Sequence, residues 1–208
     1  MTRLEEMGVN AKKAAKSLAR SPGEMKNHAL RNLAGLLSNR EQEILAENGT
    51  DISAGVEAGL SKAMLDRLTL NPSRISEIIG DLHRVAEMHD PVGELFDQAV
   101  LRNGLQVHKQ RVPIGVLGVI YEARPNVTVD IAGLAIKTGN AVILRGGSET
   151  INSNRVLVSI IQEALAQAGL DPGVIQFIDD TSRERVAEML KMHAYIDMLI
   201  PRGGASLH

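Results

Sequence analysis

Along the first ninety residues, apolar positions recur every three to four places. Leu4, Met7, Ala11, Ala14 and Leu18 form one stripe, Ala29, Leu33, Leu36 and Leu37 a second, and Ile75, Ile78, Ile79, Leu82 and Val85 a third. A period near 3.6 puts each set on one face of a helix, so residues 1–90 are expected to be a helical region. Ser21-Pro22-Gly23-Glu24 carries a start signal, with Ser as cap, Pro in the first turn and Glu able to close a capping box. A further helix is expected over Glu41 to Val56, and Asn71-Pro72 opens the clearest one.

Asp90-Pro91 ends this pattern. Leu95–Leu101 and Leu105–Val112 read as two strands around Arg102-Asn103-Gly104, where Asn-Gly suits a type I′ hairpin turn. Residues 91–112 are therefore expected to form a β-hairpin connector. From residue 113 the pattern alternates. Buried strands over 115–120, 141–144, 174–178 and 196–200 are separated by helices over 126–137, 148–168 and 182–192, the last capped by Ser182. Strand–helix alternation with short links implies an α/β fold with a parallel sheet, right-handed crossovers and helices on its faces.

Composition narrows the function classes. The chain has 208 residues, a net charge of −2 and 2% aromatic residues. The core must therefore be aliphatic, and base-stacking platforms for single-stranded nucleic acid are disfavoured. No basic tract suggests nucleic acid, no apolar run reaches the roughly 20 residues of a membrane helix, and the acidic N-terminus is unlike a signal peptide. Cytoplasmic residence fits. The histidines lack ligand spacing, and with no cysteine there is neither a disulfide nor a thiolate metal site.

Open parallel sheets bind ligands beyond the carboxyl ends of their strands. Tyr121-Glu122-Ala123-Arg124-Pro125-Asn126, Arg145-Gly146-Gly147-Ser148-Glu149 and Pro201-Arg202-Gly203-Gly204-Ala205-Ser206 all fall there. Each joins an Arg to Gly, Asn or Ser near a helix start, a pattern suited to a phosphate-bearing ligand. Taken singly, each is also an ordinary turn. Neither G-x-G-x-x-G after a strand nor a Walker loop is present. Asn126 has two readings, as the cap of the next helix or as a neutral donor to a developing oxyanion.

The stretch RVPIGVLGVIYEARPNVTVDIAGLAIKTGNAVILRGG, with GLSKAMLDRL from Gly59 and YIDMLIPRGGASLH at the end, resembles the γ-glutamyl phosphate reductases, also called glutamate-5-semialdehyde dehydrogenases, of the aldehyde dehydrogenase superfamily. The resemblance implies a Rossmann-like sheet of the aldehyde dehydrogenase type over 113–208. It also implies NADPH-dependent reduction of L-glutamyl 5-phosphate to L-glutamate 5-semialdehyde and phosphate, in proline biosynthesis, through a cysteine thioester. On this reading Asn126 is the oxyanion donor. Ile120 and Tyr121 lie beside the cofactor ribose. Arg145 faces the adenosine ribose and suits the 2′-phosphate of NADP. Gly146 and Gly147 form the adjoining turn, with Ser148 and Glu149 at the next helix start. Gly203 and Gly204 turn near the cofactor phosphates or nicotinamide. Arg124 either binds the substrate's phosphate or carboxylate or pairs with Glu122 or Asp130. A homo-oligomer is implied for the full-length family, and glutamate 5-kinase is a partner by pathway.

One departure matters: the family's nucleophilic cysteine is not in this sequence. A single helical turn after the last glycines is not self-sustaining. The chain therefore reads as an N-terminal portion, truncated before the catalytic domain and the rest of an oligomerising hairpin, and inactive alone. The alternative is a non-catalytic nucleotide-binding or interaction module.

Overall fold

The structure, a computed structural model, describes residues 2–203. Five helices come first: α1 (Arg3–Leu18), α2 (Gly23–Asn39), α3 (Glu41–Glu57), α4 (Lys62–Leu68) and α5 (Pro72–Glu87). Thr2 and Glu5 close a capping box on α1. Asn71 caps α5 by accepting from Arg74 N–H, with Pro72 in the first turn as expected. The Ser21 cap does not form. Pro22 precedes α2 directly, and the Ser21 hydroxyl donates back to the Ser17 carbonyl instead. Helix α4 has too few residues to show a period, although Ser61 caps it.

Strands β1 (Leu95–Val100) and β2 (Gln106–Gln110) form the antiparallel hairpin. Its turn is not type I′. Gly104 alone in the loop has positive φ, at 84°, and the Leu101 N–H to Leu105 carbonyl and Gly104 N–H to Leu101 carbonyl bonds define a three-residue loop. A type I turn ending in a left-handed glycine needs only one such residue. Asn103 instead uses its side chain to accept from Leu105 N–H.

The second sheet is parallel, with β3 (Val116–Tyr121), β4 (Ala141–Arg145), β5 (Ile175–Phe177) and β6 (Met198–Arg202) in the order β5-β4-β3-β6. Strand β6 lies two residues later than its apolar run suggested, so Pro201 and Arg202 belong to the strand and not to the turn. Asp197 spends its backbone N–H on the Val116 carbonyl before the ladder begins. Helices α6 (Asn126–Lys137), α7 (Ile151–Gln167) and α8 (Arg183–Met189) are the crossovers. Helix α7 starts at Ile151, after a 3-10 turn over Ser148–Thr150. Ser182 precedes α8 without a side-chain cap bond; its N–H is taken by Asp180 Oδ1.

One aliphatic core joins α2, α5, α6 and α7 to one face of the sheet, through Leu33, Leu37, Ile75, Leu82, Ile136, Val142, Leu144 and Leu165. A second packs α1 on the opposite face, through Leu4, Ala11, Ala15, Val116, Ile120 and Ile143. The sheet is thus covered on both faces, as its uniformly buried β3 requires. Among the described residues, no helix is long and apolar enough to cross a membrane, and no group of three or more His, Cys, Asp or Glu is placed to hold a metal ion.

Candidate active site at the carboxyl edge of the sheet

The strand order places a topological switch between β3 and β6: from β3 the chain winds through β4 to β5, then returns to β6 on the other side. Such a switch opens a crevice at the carboxyl edge. There Ile120 pairs with Arg145 on one side and Pro201 on the other, and Tyr121 pairs with Arg202. The residues picked out on β3, β4 and β6 therefore share one edge. Gly203 follows β6 directly; Gly204 lies outside the described residues.

Two turns leave this edge. After β3, Ala123 adopts a φ of 28°, a costly region for a residue with a Cβ. Glu149 stabilises it, accepting the Ala123 N–H at 2.7 Å. Glu149 thus clamps the β3–α6 loop to the turn after β4. Its carboxylate also fills the space at Gly147, where an added Cβ would lie 2.2 Å from Oε1. At Gly146 an added Cβ would lie 2.2 Å from Asn154 Nδ2.

Asn154 belongs to a buried donor chain that the sequence pattern did not reveal. The Thr128 hydroxyl donates to Asn154 Oδ1 at 2.7 Å, so the Tyr121 hydroxyl, 2.6 Å from Thr128 Oγ1, must donate to it. Asn154 Nδ2 donates to Thr150 Oγ1 at 2.8 Å, and Thr150 donates to the Gly147 carbonyl at 3.1 Å. Burial raises the Tyr121 phenol above its ordinary value against the lowering effect of Thr128, so it stays a donor. The chain links the β3 tip, α6, α7 and the glycine turn. Gly146 is required by this packing, because a Cβ there would collide with Asn154. Polar residues at otherwise apolar helical positions, Thr128 in α6 and Asn154 in α7, were the available signal.

A second polar group caps α7 from outside. Asp51, on α3 and buried, accepts from Asn152 N–H at 3.1 Å and from Ser153 N–H at 2.8 Å, and also from both side chains. Asn48 completes it, donating to Ser153 Oγ and the Leu68 carbonyl and accepting from Leu70 N–H.

Arg145 reaches across the edge. Its Nη2 donates to the Thr181 carbonyl at 2.7 Å, while its Nε is buried with no acceptor. Burial lowers the guanidinium's pKa from its ordinary value, opposed by Glu149 and Asp180. An orphaned cationic donor beside a helix start fits a phosphate-bearing ligand.

Asn126 does not cap α6. Pro125 holds the cap position, and Asn126 Nδ2 donates to Asp130 Oδ2 at 3.2 Å, one turn on. Both line a cleft of about 300 Å³ between α4, α5 and the start of α6, together with Arg124 and Arg67. Asp130 is engaged by Asn126 rather than by Arg124. Burial pushes the Asp130 carboxyl above its ordinary value, despite the opposing charge of Arg202 and the Asn126 hydrogen bond.

The aldehyde dehydrogenase family model matches residues 2–207. The chain is 54% identical over its whole length to a γ-glutamyl phosphate reductase of Pasteurella multocida, covering 49% of that relative. It superposes on the crystal structure of γ-glutamyl phosphate reductase from Thermotoga maritima with a TM-score of 0.96 at 41% identity, over 99% of this chain and 50% of that one. For the Saccharomyces cerevisiae enzyme of the same name the TM-score is 0.93 at 33% identity, over 100% of this chain and 53% of that one. The chain spans about half the length of the curated relatives it matches.

Proposed function

The chain belongs to the aldehyde dehydrogenase family, and from that premise we propose that its β3–β4–β6 edge binds NADPH while the cleft over Asn126 receives L-glutamyl 5-phosphate for reduction to L-glutamate 5-semialdehyde. Membership in the family implies a nicotinamide cofactor; the preference for NADP over NAD is part of the proposal. The relatives named above are γ-glutamyl phosphate reductases, which supports the choice of substrate.

The observation that carries this reading is the meeting of three strand tips, in register, beside a glycine turn and an orphaned arginine donor. Ile120 and Tyr121 form the floor beside the ribose. Arg145 takes the 2′-phosphate, and Ser148 and Glu149 border it, with Gly146 and Gly147 forming the adjoining turn packed on Asn154 and Glu149, and Gly203 following β6. The bound nicotinamide supplies the hydride.

Asn126 Nδ2 carries two N–H donors. Asp130 holds one, leaving the other for the oxygen of the reacting carbonyl as negative charge builds on it. A donor fixed before reaction needs no reorganisation at that moment. The aligned peptides at the start of α6 add a favourable field. Arg124, two residues before Asn126 and on the cleft wall, binds the leaving phosphate. No cysteine thiolate is among these 208 residues, so the chain contributes the cofactor edge and the oxyanion donor, not the nucleophile.

Calorimetric titration of the chain with NADPH and NADH tests the reading, using wild type and Arg145→Leu. Wild type is expected to favour NADPH, and the variant to lose that preference while retaining weak binding of both. No nucleotide binding by folded wild-type chain, or an unchanged preference in the variant, refutes it.

A further inference from the structure

We propose that Asp130 is the specificity-determining residue for the α-ammonium group of the substrate. The inference rests on the acyl-phosphate reading above and deepens it. The cleft has charges without an ion pair among the described residues, although the charge of Arg202 partly offsets that of Asp130. Of its arginines, Arg74 is consumed, with Nη2 on Asp66 Oδ1 at 2.8 Å and Nη1 on the Thr69 carbonyl at 2.6 Å. Arg67 and Arg124 also line the cleft, and neither has an ion pair among the described residues. Of its acids, Asp66 is held by Arg74 and Asp81 by Arg84. That leaves Glu77, which is exposed and hydrated, and Asp130, which is half-buried. Asp130 has a neutral amide as its hydrogen-bond partner and no cation within ion-pair distance among the described residues. A carboxylate shielded from water without a paired cation is unfavourable unless a ligand supplies one. Its raised protonation tendency agrees with that state.

The spacing selects which cation. Asp130 Oδ2 lies 3.2 Å from Asn126 Nδ2, and the two N–H bonds of that amide diverge by about 120°, so an oxygen held by the second donor stands roughly 5 Å from the carboxylate. In a glutamyl acyl group three C–C bonds of about 1.5 Å separate the reacting carbonyl carbon from the α-carbon, so the ammonium lies roughly 5 Å from the carbonyl when extended. With the carbonyl oxygen at Asn126, the ammonium therefore arrives at Asp130. Arg124 stands at the phosphate end of the same line. Arg67, on the α4 wall, faces the α-carboxylate. The order Arg124, Asn126, Asp130 along the start of α6 thus repeats the order phosphate, carbonyl, ammonium along the substrate. A volume of about 300 Å³ accommodates an amino acid of this size.

The test uses the 208-residue chain, two probes and amide-resolved NMR titration. L-Glutamate 5-methyl ester carries the ammonium; monomethyl glutarate lacks it. Wild type is expected to bind the amino ester roughly ten- to hundredfold tighter, the range of a charged hydrogen bond, with shifts centred on Asn126 and Asp130. Asp130→Asn should bind the two probes alike, at the affinity of monomethyl glutarate. Glu77→Gln, in the same cleft, should keep the wild-type preference and so control for a general loss of negative charge. The inference is overturned by Asp130→Asn retaining the preference, or by Glu77→Gln abolishing it. Wild type that binds both probes equally at this cleft also overturns it, while leaving the cleft as the acyl site. Wild type that binds neither overturns this inference and the substrate reading together.

Discussion

Replacing Asp51 with Ala gives the sharpest test of how the helical layer supports the edge. Helix α7 begins at Ile151, and its preceding residue, Thr150, makes no capping bond: its hydroxyl oxygen accepts from Asn154 Nδ2 and its hydrogen goes to the Gly147 carbonyl. The N–H groups of Asn152 and Ser153 occupy the positions an N-cap side chain normally satisfies. Asp51 satisfies them from α3, at 3.1 and 2.8 Å, and the Ser153 hydroxyl at 2.6 Å. In Asp51→Ala these backbone donors cannot turn away. The buried Ser153 N–H and the part-buried Asn152 N–H, left unmet, cost about 1–3 kcal/mol each, and loss of an anion at the helix start adds about 0.3–1 kcal/mol. The Asn152 side chain, half-buried, is free to find water and adds little. We expect a total loss of about 3–5 kcal/mol, a large share of the ~5–15 kcal/mol available to a typical domain. With a urea slope of about 2 kcal/mol per molar, the midpoint followed by far-ultraviolet circular dichroism should fall by roughly 2 M. Asp51→Asn, keeping one acceptor oxygen, should fall by less. An Asp51→Ala midpoint within about 0.3 M of wild type, at unchanged slope, refutes the trans-capping argument.

The donor chain predicts a ranking. Tyr121→Phe removes only one bond accepted by Thr128 and should cost about 1 kcal/mol, whereas Asn154→Leu strands the Thr128 donor and breaks both links and should cost about 2–4 kcal/mol; equal urea midpoints for the two variants would contradict it. Asp90→Ala leaves Lys26, 1% exposed and 2.5 Å from Asp90 Oδ2, buried without its partner, a loss of about 3–5 kcal/mol. Burial works to raise the Asp90 value, but the Lys26 hydrogen bond, Val92 N–H and the nearby lysine charges outweigh it and the net shift is downward. A depressed carboxyl stabilises the fold above its unfolded value of about 4 and loses that contribution as pH falls through the folded value. Urea midpoints measured on descending from neutral pH into that acid window should therefore converge for wild type and Asp90→Ala. Asp130 has the opposite sign: its net shift is upward, with burial as the main cause, so ionisation disfavours the fold. Asp130→Asn should melt above wild type at neutral pH, and that advantage should shrink as acid protonates the wild-type carboxyl; a variant that melts lower at neutral pH would count against a ligand-dependent carboxylate.

What the sequence made legible was mostly periodic. The Asn71-Pro72 start follows from its cap, and the bounds of α6 and the parallel sense of the second sheet from apolar spacing, because burial of an aliphatic stripe and satisfaction of a helix end are local demands. Local logic failed where a side chain had a better partner elsewhere. Ser21 bonds back to Ser17, and Asn126 gives up the cap for Asp130. The glycine turn is the instructive case. Gly146 and Gly147 suggest open space for a phosphate, yet at Gly146 the space beside the backbone is filled by Asn154, and at Gly147 by Glu149. Glu149 folds back from two residues on, and Asn154 comes from α7, outside the Arg145–Glu149 segment, so no spacing within that segment could disclose it.

The same point bears on what the first ninety residues do. Asn48 spans from the Leu68 carbonyl and Leu70 N–H to the Ser153 hydroxyl, and Asp51 holds the next N–H groups of α7. Helix α7 in turn presents Asn154 to the donor chain that ends on Gly147. Two sets of paired polar groups, joined through the first turn of α7, therefore connect the α3–α4 region to the turn that borders Arg145. Buried networks of this kind are rigid because every broken link leaves an unmet donor in a low-dielectric interior. The helical layer also supplies the α4 and α5 walls of the cleft facing Asn126. The proposed cofactor edge and the proposed acyl cleft thus meet at α6, with Thr128 bonded to Tyr121 on the first side and Asn126 lining the second. Two residues of one helical turn set the distance between the proposed hydride source and the proposed acceptor carbon, and the helices ahead of the sheet hold that turn in place.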